Sequence, residues 1–135
     1  MNEFKNKIVC GFAGIGKSYA AKRMPGVVDL ESTPFKEDWD LYIDVATHMQ
    51  KSGYTVLVSC HKELRNRLKE RWIDYVVVVP MLSDKDVYLE RYKQRGNDEG
   101  FIKMMDENWE KFINEILSDE PVPYVVVLNG GHFTP

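Results

Sequence analysis

Residues 11–18 read Gly-Phe-Ala-Gly-Ile-Gly-Lys-Ser and fit the pattern G-x-x-x-x-G-K-[ST] at every fixed position. The segment follows a short apolar run at 7–10 and leads into a helical pattern at 18–23. In that strand–turn–helix setting, glycines let the backbone wrap so that successive N–H groups face inward on phosphate oxygens. The following helix adds the partial positive charge of its N-terminus. Gly11, Ala13, Gly14, Ile15, Gly16 and Tyr19 are therefore expected around a nucleotide. Lys17 is expected on its β- and γ-phosphates as a point charge, and the Ser18 hydroxyl on Mg²⁺. ATP with Mg²⁺ is the ligand this segment predicts; a coincidental glycine-rich turn is the bland alternative.

Further candidates follow the other apolar runs. The second run ends Asp29-Leu30-Glu31-Ser32-Thr33. Asp29 is a candidate for holding a metal-bound water or accepting a proton, and Glu31 and Ser32 for binding an acceptor. The alternative is solvated acids, with Thr33 capping a helix that has Pro34 at its first position. The third run ends Ser59-Cys60-His61, where His61 is either a ligand contact or a helix cap. Arg65 lies one turn beyond His61 and is a candidate anchor for an acceptor phosphate, with Arg67 a weaker one. Arg91 and Arg95 are four apart and share a helix face, and Gly96-Asn97 marks the end of that helix. Two arginines aimed at phosphates would neutralise the charge spread over a transferring phosphoryl group. Cations at an exposed helix end are the alternative.

These residues must be held by a scaffold, and the pattern describes one. The 135 residues are 44% hydrophobic and 29% charged, the composition of one globular domain spanning 1–135. Apolar, β-branched runs at 7–10, 27–30, 55–60, 75–79 and 124–128 read as strands. The last three are near-continuous Val, Ile and Leu, as in strands buried on both faces. Between them lie helical stripes: Trp39, Ile43, Ala46 and Gln50; Leu64, Leu68 and Trp72; Phe101, Met105, Trp109, Phe112 and Ile116. All are expected to be core. Ser83 and Asp86 have the spacing of a capping box. Alternating strands and helices predict an α/β fold with a mainly parallel sheet and helices on both faces. Ligands of such sheets sit beyond the carboxyl ends of the strands, where the candidates above fall.

Charge and cysteine usage bound the partners. Eighteen Lys and Arg against 21 Asp and Glu give a net charge of −3, so no nucleic-acid or anionic membrane partner is expected. No apolar run is long enough to span a membrane, and residues 1–5 lack an apolar signal region. Two cysteines are too few for a disulfide scaffold, and a reducing cytoplasm is the expected compartment.

Together, the 11–18 motif, the acidic end of the second run and the Arg-x-x-x-Arg segment at 91–95 resemble the P-loop nucleoside monophosphate kinase-like superfamily, which includes adenylate, deoxynucleotide, shikimate and gluconate kinases. The chain is most similar in character to short kinase-like proteins of phages and Gram-positive bacteria. The resemblance implies a three-layer P-loop NTPase fold with five parallel strands ordered 2-3-1-4-5, which would make the strands bearing Cys10 and Cys60 neighbours. It implies a minimal lid at 91–97 carrying Arg91 and Arg95, and places Asn129 near the adenine. It implies phosphoryl transfer from ATP to a nucleoside or deoxynucleoside monophosphate; a monomer or homodimer is expected. A shikimate- or gluconate-like alcohol kinase and a non-catalytic nucleotide-binding module are the competing readings. The third strand lacks the Asp that often ends it in such proteins.

Overall fold

The computed structural model describes residues 5–119 and the backbone of 124–128. The chain is an α/β domain built on a parallel sheet. Its strands are β1 (Ile8–Gly11), β2 (Val27–Asp29), β3 (Thr55–Val58), β4 (Val76–Pro80) and β5 (Tyr124–Leu128). Its helices are α1 (Lys17–Arg23), α2 (Trp39–Lys51), α3 (Lys62–Glu70), α4 (Lys85–Gln94) and α5 (Glu99–Leu117). The sheet order is β2-β3-β1-β4-β5, and every described pairing is parallel. The step from β1 to β2 runs one way across the sheet and all later steps run the other. Right-handed crossovers then require α1 on the opposite face from α2 and α3.

Covering both faces explains why the central strands carry apolar residues without alternation. Ile8, Val9, Cys10, Val56, Leu57, Val77, Val78 and Val79 are all fully buried. The register then aligns the carboxyl ends. Cys10 lies beside Val58 and Val77, and Asp29 beside Leu57. Phe12 N–H continues the ladder to the Val78 carbonyl at 3.0 Å, and Leu30 N–H to the Leu57 carbonyl at 2.9 Å. The turns after β1, β2 and β3 therefore open on one edge.

Several local expectations need correction. Trp72 does not complete the Leu64–Leu68 stripe but is 93% exposed. α3 stops at Glu70, and Trp72 takes φ 57°, which turns its side chain off the stripe. Ile73 N–H bonds the Leu68 carbonyl and Trp72 N–H the Lys69 carbonyl, the paired closure of a Schellman end. Ser83 and Asp86 do not open α4 as a capping box. Ser83 lies inside a 3-10 turn (Leu82–Asp84), and α4 begins after it. The helix carrying the Trp39–Gln50 stripe begins at Trp39 itself, capped by Asp38, whose carboxylate accepts from Leu41 N–H at 3.1 Å. Before it, Pro34 sits in a 3-10 turn (Thr33–Phe35) that follows Ser32, so Thr33 is not its cap.

Candidate functional site

The 11–18 loop is fixed from beneath and from the side. Ile15 is fully buried under it. Gly14 has φ 89° and Gly16 φ 101°, left-handed conformations that strain any residue with a Cβ. At Gly14 an added Cβ would also meet the Tyr92 ring at 2.8 Å and the Tyr88 ring at 3.2 Å. α4 grips the loop at its carbonyls. Tyr92 hydroxyl donates to the Ala13 carbonyl at 2.7 Å, and Arg91 Nη1 donates to the Gly14 carbonyl at 2.9 Å. Tyr88 and Tyr92 are fully buried, and the Arg91 guanidinium lies 4.4 Å from the Tyr88 ring centre.

Lys17 opens α1 and folds back, its ammonium donating to the Gly11 carbonyl at 3.0 Å. Burial holds its pKa below the usual lysine value, and the negative charge of Asp29 opposes that shift. Arg95 also lowers it, so the two cations share one neighbourhood. Ser18 Oγ donates to Asp29 Oδ2 at 2.8 Å, joining the start of α1 to the end of β2.

A cavity of about 690 Å³ opens above these groups. One wall is the loop, with Ala13, Gly14, Gly16, Lys17, Ser18 and Tyr19. A second is the end of α4 and the start of α5, with Arg91, Gln94, Arg95, Asn97 and Phe101. The third is formed by the turns after β2 and β3, with Asp29, Glu31, Ser32, Thr33, Ser59 and His61. His61 Nδ1 and Ser59 Oγ are 3.0 Å apart, and the imidazole packs 5.2 Å from the Trp39 ring. Burial and the charge of Lys17 lower the His61 pKa, which favours the neutral ring, against an opposing pull from Glu37.

Most expected residues thus converge on one cavity, but Gly11, Ile15, Arg65 and Arg67 do not line it. Gly11 and Ile15 lie beneath the loop rather than on its open face. The expectation that Arg65 anchors an acceptor phosphate is corrected. Its side chain is only 3% exposed, donates to the Cys60 carbonyl at 3.4 Å and forms an ion pair with Asp119. Arg67 is occupied too, pairing with Glu63 on its own helix at 3.0 Å and with Asp40 across the α2–α3 contact at 3.0 Å. Asn129 lies outside the described residues.

Some site residues were missed from the sequence. Tyr42 hydroxyl donates to the Leu30 carbonyl and accepts from Ser59 N–H at 3.2 Å, clamping the ends of β2 and β3 together. Tyr88 and Tyr92 hold the loop as described. Their signal was present: tyrosines at core positions, whose hydroxyls need partners. Cys10 and Cys60 sit below Lys17 as free thiols, both pushed up by burial, Cys60 to about 11.

No cluster of three or more His, Cys, Asp or Glu able to hold a metal occurs among the described residues. The paired Ser18 and Asp29 oxygens are nevertheless the hard donors that Mg²⁺ uses alongside water and phosphate oxygens. No helix among the described residues is long and apolar enough to cross a membrane. Compared with known proteins, the chain matches no family model, no curated protein and no solved structure.

Proposed function

We propose that the protein is a P-loop phosphotransferase that moves the γ-phosphoryl group of Mg-ATP to a small acceptor. The observation carrying this reading is the convergence of Lys17, Ser18, Asp29, Arg91 and Arg95 on one cavity around a glycine-rich turn at the carboxyl edge of a parallel sheet. In this reading Lys17 and the loop amides hold the donor phosphates. Ser18 and Asp29 would hold Mg²⁺, which would supply positive charge to neutralise the phosphates. Arg91 and Arg95 close on the γ-phosphoryl group, Arg91 exchanging the Gly14 carbonyl for a phosphoryl oxygen. Catalysis is positioning and charge neutralisation in a cavity that closure makes dry.

The test is nucleoside diphosphate release from Mg-ATP with a panel of acceptors, for the native protein and for Arg91→Ala and Arg95→Ala. Acceptor-dependent release that falls roughly 100-fold in the arginine variants, with Mg-ATP affinity kept within a few-fold, is the expected result. Release that no acceptor alters points instead to a nucleotide-binding module. The resemblance implies a nucleoside monophosphate as acceptor. That expectation drew its phosphate anchor from Arg65, which is engaged elsewhere.

A further inference from the structure

Resting on the phosphotransferase reading above, we infer that the acceptor is an alcohol carrying neither phosphate nor carboxylate. The cavity's charges are segregated. Its three cations, Lys17, Arg91 and Arg95, come from the loop and from α4. The wall formed after β2 and β3 presents two carboxylates, Asp29 and Glu31, with the hydroxyls of Ser32, Thr33 and Ser59 and the imidazole of His61. Among the described residues no lysine or arginine lines that wall. Lys36 and Lys62, close in sequence, stay outside the lining, and Arg65 is spent on Asp119. The undescribed segments cannot supply one, because 1–4, 120–123 and 129–135 contain no lysine or arginine.

A phosphomonoester is largely dianionic at neutral pH. Set against the Glu31 carboxylate, with no lysine or arginine on that wall and Asp29 already engaged by Ser18, it meets like charge where an anion site needs donors. Carboxylated alcohols such as shikimate and gluconate meet the same repulsion. Hydroxyls and a neutral imidazole instead offer paired donors and acceptors for an acceptor's own hydroxyls. In the transfer, the acceptor oxygen bonds the γ-phosphorus as the bond from phosphorus to the β,γ-bridging oxygen breaks. The nucleoside diphosphate leaves with that electron pair, and the hydroxyl proton passes to the Asp29 carboxylate.

The experiment loads the full chain with a non-hydrolysable Mg-ATP analogue and titrates in a nucleoside monophosphate, then gluconate, by calorimetry. The same titrations are run on Glu31→Arg. Failure of the analogue itself to bind overturns the phosphotransferase reading, separately from this inference. Native dissociation constants above about 1 mM for both anions, with the monophosphate binding about tenfold or more tighter in Glu31→Arg, are the expected result. Binding of either anion to the native protein with a dissociation constant below about 1 mM overturns the inference. Phosphorus NMR of turnover mixtures supplies the second readout. A new phosphomonoester from an uncharged sugar, polyol or nucleoside supports it, and a new phosphoanhydride from a monophosphate overturns it.

Discussion

Burial lowers the Lys17 pKa and the negative charge of Asp29 opposes that shift, while the ammonium donates to the Gly11 carbonyl, so the side chain is held in place by neighbours on both sides of the loop. This residue and Ser18 were legible because the chemistry sits in a contiguous motif. Arg65 was not. Its spacing from His61 suggested the crevice, but its partner is Asp119, 54 residues away, which no local pattern reveals. His61 yields a prediction with a definite sign. Its folded pKa lies below the ordinary 6.5, so just below that pH the unfolded chain binds more protons than the folded one. Stability should therefore rise with pH across that interval and fall on acidification. Melting temperatures measured from pH 5 to 7 should show a shallower slope in His61→Gln than in the native protein; equal slopes would remove His61 from the account.

At the scale of elements, the strands and most helices followed from apolar runs and stripes, while their ends did not. The last turn of α3 shows why. A four-residue spacing put Trp72 in the core, yet the hydrogen bonds of the helix end place it in a left-handed conformation, 93% exposed. Glycine fits that position without strain, so Trp72→Gly should stabilise the protein by about 1 kcal/mol in urea denaturation. A loss of stability would mean that the indole makes contacts the fold depends on. The grip of α4 on the loop gives the opposite prediction for Gly14→Ala. A methyl group there faces a positive φ and the Tyr92 ring, and should cost roughly 1–3 kcal/mol, with weaker nucleotide binding in parallel. Unchanged stability would show that Tyr92 yields easily and does not set the loop.

Across the whole molecule, alternation of strand and helix was enough to anticipate the parallel sheet, because strands buried on both faces leave a continuous apolar signature. That the wall formed by the turns after β2 and β3 carries no lysine or arginine among the described residues could be seen only once those turns were placed side by side. The Arg65–Asp119 pair ties α3 to the segment after α5 and is 3% and 10% exposed at its two side chains. Asp119→Ala strands a buried guanidinium and should cost about 3–5 kcal/mol in urea denaturation, whereas Arg65→Met with Asp119→Leu should recover most of that loss. A double variant as unstable as the single one would mean the charges, not the packing, hold this corner. The central claim remains that residues 11–18 cradle a polyphosphate. Calorimetry of Mg-ATP binding to Lys17→Ala, with circular dichroism confirming the native fold, tests it most directly. The account predicts a loss of roughly 30- to 100-fold in affinity, the ~2–3 kcal/mol of a charged hydrogen bond; an affinity equal to that of the native protein would contradict it.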